Sequence, residues 1–187
     1  MMTNNLFDTL FSNAECKAHL QERCIETEVA VKTVLLREGD IAKSIYVVKK
    51  GCLREWFNKD GKDITFQFFF EGQPVASIDS FMNQKPSLFT IESVEPSTVI
   101  EIKKADFEFV LSASPEFEAG FHDFIFQRFS NYGQLFMSRI KDTPRERYED
   151  LVIHHPEIIQ RVPQHYIASF LGITPISLSR IRNRKKS

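Results

Sequence analysis

The residues of this chain best equipped for chemistry on a partner lie at its end. In Thr174-Pro-Ile-Ser-Leu-Ser-Arg-Ile-Arg-Asn-Arg184, Leu178 and Ile181, three residues apart, give a helix an inner face. The opposite face shows Ser177, Ser179, Arg180, Asn183 and Arg184. Residues 161–187 hold six Lys/Arg and no Asp or Glu, while the other 160 carry 18 basic against 25 acidic side chains in a chain of net charge −1. A basic end on an acidic body suits local docking on phosphates, where each neutralised phosphate releases counterions. A merely solvated basic tail is the plainer alternative, and the helical patterning of the charges argues against it.

Such a helix needs a scaffold, and the preceding residues supply one. Ile167, Phe170 and Leu171 form the buried side of a first helix, and Gly172 is the positive-φ residue that ends it. Thr174 caps the second helix, and Pro175 fits its first turn, where the missing N–H costs nothing.

Phenylalanine is abundant, at 18 of 187 residues, and eight of these fall between Phe107 and Phe136. Phe117, Phe121, Phe124, Ile125, Tyr132, Leu135, Phe136 and Ile140 recur at three- and four-residue steps, predicting a helix from about Pro115 to Lys141. At 1.5 Å per residue it would run about 39 Å, longer than a small domain usually covers. Part of it is therefore expected to pack on a second copy, with Phe117, Phe121, Phe124, Tyr132 and Leu135 as the dimer-helix residues; an intramolecular core helix is the alternative. Upstream, strands are predicted over 28–36, 44–49, 52–57, 64–70, 88–94 and 98–102, separated by turns. Many short strands followed by helices imply an α+β chain: an N-terminal β-roll of jelly-roll type, then the long helix and the C-terminal helices.

Several function classes lack their residues. Residues 28–104 contain no histidine, against a cupin-type metal site, and no Ser/His/Asp order or phosphate-cradling glycine loop stands out, so an enzyme is not expected. Cys16, Cys24 and Cys52 are too few for a four-thiolate cluster and point to a reducing compartment. The five histidines lack a confirming ligand set, and no metal site is expected. No apolar run reaches the roughly 20 residues of a membrane span, and the start lacks the regions of a signal peptide, so the expected location is the cytoplasm.

Taken in order, Leu36-Arg-Glu-Gly-Asp40, Ile45-Tyr-Val-Val48, Gly51, the long helix and Tyr166-Ile-Ala-Ser-Phe-Leu-Gly-Ile-Thr-Pro-Ile-Ser-Leu-Ser-Arg-Ile-Arg182 resemble the bacterial Crp/Fnr family of transcription factors over nearly the whole chain. The resemblance implies a cyclic-nucleotide-binding-like effector domain (1–114), a dimerisation helix (115–141) and a helix-turn-helix DNA-binding domain (142–187) with a reduced or absent wing. It implies a homodimer on an inverted-repeat operator of double-stranded DNA, with RNA polymerase as a further candidate partner. Thr174 and Ser177 match positions where phosphate contacts are expected, and Arg180 a position where arginine reaches a guanine edge. Pro175 and Ile176 replace two base-reading residues, which leaves Ser179, Asn183 and Arg184 as further readers and implies a different operator.

The effector site departs from the cyclic-AMP receptors. Ala76-Ser77 and Ser87-Leu88 stand where the resemblance puts Gly-Glu and Arg-Ser, and no arginine lies between Arg54 and Arg128. Without that bidentate cation, weak or no cyclic-AMP binding is expected. Ser77, Ser80, Phe81, Ser87 and Thr90 are the candidate pocket residues for another, less anionic effector, or else they serve only the backbone of a loop. The competing reading is a ligand- or protein-interaction module of the same fold that does not bind DNA.

Overall fold

The computed structural model describes residues 13–183. Asn13 caps the first helix, α1 (Ala14–Arg23), by accepting from the N–H groups of Glu15 and Cys16. Eight strands follow: β1 (Ile25–Val29), β2 (Val34–Leu36), β3 (Ser44–Lys50), β4 (Leu53–Lys59), β5 (Lys62–Phe69), β6 (Pro74–Val75), β7 (Thr90–Ser93) and β8 (Ser97–Lys103). A short helix, α2 (Ile78–Asn83), interrupts them after β6. They form two antiparallel four-stranded sheets, in the orders β1-β8-β3-β6 and β2-β7-β4-β5. The roll's interior is closed by Val48, Leu53, Phe69, Val75, Ile91 and Val99 between the sheets.

The strand predicted over 28–36 is two strands. Lys32 takes a left-handed φ of 62° and the Thr33 hydroxyl donates to Ala30 O at 2.8 Å, so the chain turns between Val29 and Val34. The segment after β6 also differs from a plain loop, since α2 forms there and ends at Gln84 with φ 53°.

The helical half begins with α3 (Lys104–Ala113) and the long α4 (Pro115–Lys141). Ser114 caps α4 by accepting from Phe117 N, and Pro115 enters its first turn, so the sequence bounds of this helix hold. Thr143 and Glu146 form a reciprocal capping box that starts α5 (Pro144–His154). The chain then forms α6 (Pro156–Arg161), α7 (Gln164–Leu171) and α8 (Pro175–Asn183).

Phe117 and Phe121, expected on the dimer face, belong instead to the protomer's own core. Both rings meet Phe107 of α3 edge-on, with centroids 5.9 and 5.0 Å away, and both residues are buried. Aromatic burial against α3 and the roll consumes this end of the stripe before any partner could use it. Phe124 is half-buried against the same cluster. The free apolar face of α4 lies elsewhere: Phe126 and Phe129 are 74% and 75% exposed, and Phe136 and Ile140 are 66% and 65% exposed. With Gly133 between them, these residues step by three, four, three and four, the spacing of a coiled-coil seam. Phe126 and Phe129 each lie five residues beyond a roll-facing aromatic, roughly 140° round the helix.

Candidate nucleic-acid interface and roll interior

Local geometry in α7 and α8 follows from the residue types. Gly172 sits at φ 69°, ψ 31°, and the bonds Ile173 N→Ala168 O and Gly172 N→Ser169 O close a Schellman turn. Thr174 Oγ1 accepts from Ser177 N at 3.2 Å and lies 3.0 Å from the Ser177 hydroxyl, so it caps α8. Leu178 and Leu171 pin the two helices in a core with Tyr148, Leu151, Ile158 and Ile167. Outward, Thr174, Pro175, Ile176, Ser179, Arg180 and Asn183 are exposed, and Ser177 is half-buried.

The helix pair is tied to both neighbours. Two cations serve the C-terminal end of α7, where carbonyls lack intrahelical partners. Arg139 of α4 donates to Phe170 O, and Arg147 of α5 donates to Leu171 O at 2.9 Å. Burial first, and then the nearby Arg147 charge, lower the Arg139 pKa. On the roll side, Ser169 accepts from Thr65 N at 2.9 Å and donates to Asp63 O at 2.7 Å, so α7 covers the outer edge strand β5. Arg161 pairs with Glu71 through two bonds of 2.8 Å and with Glu95 at 3.2 Å. The Arg161 hydrogen bond is the main reason the Glu71 carboxyl titrates low, at about 2.

Arg54 is the most buried of these links, at 1% exposure. It donates to Glu92 at 3.1 and 3.0 Å, to Thr65 at 3.0 Å and to Asp63 at 3.1 Å. Its guanidinium lies 3.8 Å from the Tyr166 ring centre and 4.8 Å from that of Trp56. The next residue, Glu55, faces the other way. It pairs with Gln67 and Ile91 on β5 and β7, is fully buried, and neither carboxyl oxygen has a hydrogen-bond partner. Burial pushes its pKa up to about 8, opposed by the charge of Arg128 on α4. Arg128 lies over the rings of Phe69, Phe124 and Tyr132. The Tyr132 hydroxyl is pushed up to about 12, by burial first and by the Glu55 charge second.

The roll and its helices have known counterparts. Residues 26–114 match the family described as the cyclic nucleotide-binding domain. A structure of a CooA variant from Carboxydothermus hydrogenoformans aligns with a TM-score of 0.76 at 17% identity, covering 100% of this chain and 86% of that one. A protein assigned to the Crp/Fnr transcriptional regulators of Eubacterium rectale gives 0.75 at 19%, covering 97% and 86%. The two-part likeness, roll and helical unit in one continuous alignment, decides the fold. This chain is a Crp/Fnr-fold protein. The c-di-GMP-responsive global regulator CLP of Xanthomonas campestris shares the Crp/Fnr fold as well, with a TM-score of 0.73 at 15% identity over 93% of this chain and 92% of that one. No curated protein matches the chain.

Within this Crp/Fnr fold the sequence-selected residues fare unequally. Thr174, Ser177, Ser179, Arg180 and Asn183 come together on α8 and its cap, whereas Arg184 lies outside the described residues. Ser77, Ser80, Phe81, Ser87 and Thr90 are all buried. Ser80 accepts from Ala42 N and donates to Lys85 O, Ser87 donates to Phe89 O, and Thr90 accepts from Glu38 N. Phe81 packs edge-on against Phe107 at 5.5 Å. Ser80, Ser87 and Thr90 thus hold loop backbone, the Ser77 hydroxyl makes no such bond, and none of the five lines the cavity beside α4. That cavity is bounded by Ile45, Pro74, Ala76, Ile78, Phe121, Phe124 and Arg128, and at about 10 Å³ it has room for about one water. Glu55, Arg128 and the seam residues Phe126 and Phe129 escaped sequence reasoning. The three-four spacing was the only available signal, and it served the seam alone.

Among the described residues no cluster of His, Cys, Asp and Glu could hold a metal, and no helix is long and apolar enough to cross a membrane. His19, a histidine without an evident role in sequence, bonds to Asp106 at 2.9 Å and stacks on Phe109, joining α1 to α3.

Proposed function

We propose that this Crp/Fnr-fold chain is a homodimeric, sequence-specific DNA-binding transcription regulator, with 1–114 as effector domain, 115–141 as dimerisation helix and 142–187 as DNA-binding domain. One observation carries the reading. The reading surface of α8 is open and free of acidic residues, and its helix pair is bonded through Arg139 to the same helix that exposes the Phe126–Ile140 seam. Two protomers joined along that seam would present two symmetry-related reading heads, the arrangement an inverted repeat requires.

Arg180 is the expected base reader, since its side chain is exposed on the face of α8 opposite Leu178. Thr174 and Ser177 spend part of their capacity on capping α8 and serve the phosphates with what remains. Arg180→Ala is expected to cost about 1–3 kcal/mol on the specific site and to relax preference at one base pair. Equal losses on specific and random DNA would instead make Arg180 a phosphate contact. The family reading itself is tested by fluorescence anisotropy with genomic fragments at two salt concentrations. Binding that weakens steeply with salt is expected, and no binding at either salt would favour an interaction module instead.

The effector domain does not hold cyclic AMP in the usual way. No arginine is available between Arg54 and Arg128, Arg54 is committed to Glu92, Thr65 and Asp63 on the outer face, and the cavity beside α4 is too small for a nucleotide. Cyclic AMP at millimolar concentration is expected to leave the melting temperature unchanged. A ligand present at 100 times its Kd would add about 2.7 kcal/mol, a rise of several degrees in a melting scan.

A further inference from the structure

Strand β4 touches both halves of the molecule at consecutive residues, and its pairing is irregular at that point. Arg54 on its outer face holds Tyr166 of α7, while Glu55 on its inner face looks toward Arg128 and Tyr132 of α4. Glu55 and Trp56 pair with Gln67 and Thr65, so the register with β5 shifts between them and β5 carries the extra residue, Phe66, in a bulge that can re-aim side chains locally. Both β4 residues opposite the bulge carry buried polar groups without partners. The Glu55 oxygens lack donors and Trp56 Nε1 lacks an acceptor. Orphaned groups on two consecutive residues opposite one bulge mark a place where a second arrangement is close in energy, because this one leaves both unsatisfied.

We propose that β4 is a two-state coupling strand: ionisation of Glu55 draws it toward Arg128, shifts β4 where it faces the β5 bulge, and loosens the Arg54–Tyr166 contact that holds the α7–α8 pair on the roll. The signal travels by a short physical route, from α4 through Glu55 across one peptide unit to Arg54 and Tyr166. The groups facing Glu55 from α4 are Arg128 and Tyr132, and its partners on β5 and β7, Gln67 and Ile91, carry no charge. The mechanism rests on α7–α8 being the DNA-reading unit for its regulatory meaning, but the movement itself can be measured without DNA.

Trp56 is the only tryptophan of the chain and lies beside Arg54, so its emission reports the strand directly. Emission is read from pH 6 to 9.5, together with amide exchange across residues 164–171 normalised for intrinsic rate, in the full-length protein, in Glu55→Gln and in Tyr166→Leu. In the parent, both signals are expected to change together around pH 8, where Glu55 titrates. His165, next to Tyr166, has its pKa lowered by burial and then by the Arg54 charge, which moves its titration away from the Glu55 transition. Glu55→Gln should abolish both changes. Tyr166→Leu should keep the Trp56 change and uncouple the exchange of 164–171 from it. A flat parent profile, or a transition that survives in Glu55→Gln, would overturn the proposal. Failure of DNA binding with these signals intact would overturn the regulator reading and leave the coupling standing.

Discussion

Phe129→Glu combined with Phe136→Glu is expected to convert the protein to monomers and to lower its apparent affinity for an inverted-repeat site by roughly 10²–10⁴-fold, the advantage lost when two linked contacts become one. Both side chains are mostly exposed in the protomer, so charges there should leave the protomer folded. In a dimer each would meet its symmetry mate across a dry seam. Burying one such side chain contributes about 1.5–3 kcal/mol, and a buried unpaired carboxylate costs more than that gain. The exposed run from Phe126 to Ile140 is about 21 Å long at 1.5 Å per residue, and Gly133 at its centre leaves room for close approach, since a Cβ there would meet nothing within 4 Å. Light scattering reads the oligomer, and circular dichroism confirms that the protomer is intact. A double variant that remains dimeric would place the interface elsewhere.

Glu55→Gln should have the largest effect on stability, and its size should depend on pH. The folded carboxyl titrates at about 8 against a reference of 4.5. Between those values the unfolded chain has lost the proton and the folded chain retains it, so the native state binds more protons and stability falls as pH rises. Below 4.5 both states are protonated, and above about 8 both are ionised, so the loss is then complete. Glutamine has nearly the same shape and no proton to lose. The variant should therefore match the parent near pH 4.5 and exceed it by roughly 3–5 kcal/mol at pH 8.5 and above. Urea titrations at the two pH values measure this, and parallel profiles for parent and variant would show that Glu55 is not held neutral.

Much of the fold was legible because its punctuation is local. Ser114-Pro115 starts α4 and Gly172 ends α7 by short-range sterics and hydrogen bonds, which sequence displays directly. The faces of α4 were not legible in the same way. Phenylalanines at 117, 121 and 124 and at 126, 129 and 136 satisfy helical periodicity on two sides, and only packing against Phe107 decides which side the protomer uses. Arg54-Glu55 was harder still. Adjacent charges in a strand suggest at least one solvated face, yet here the roll covers one and α7 the other, a tertiary fact with no local signature. The serines of the candidate pocket look the same in sequence whether they bind a ligand or a backbone, and only their neighbours in space show that Ser80 and Ser87 bond to backbone.

The central claim, two reading heads held by one seam, predicts the symmetry of what they read. Selection of bound fragments from random DNA by the full-length protein should enrich an inverted repeat with half-sites about 10–11 base pairs apart, centre to centre, or a multiple of that spacing. Enrichment of a single unsymmetrical element, or of nothing at all, would contradict it.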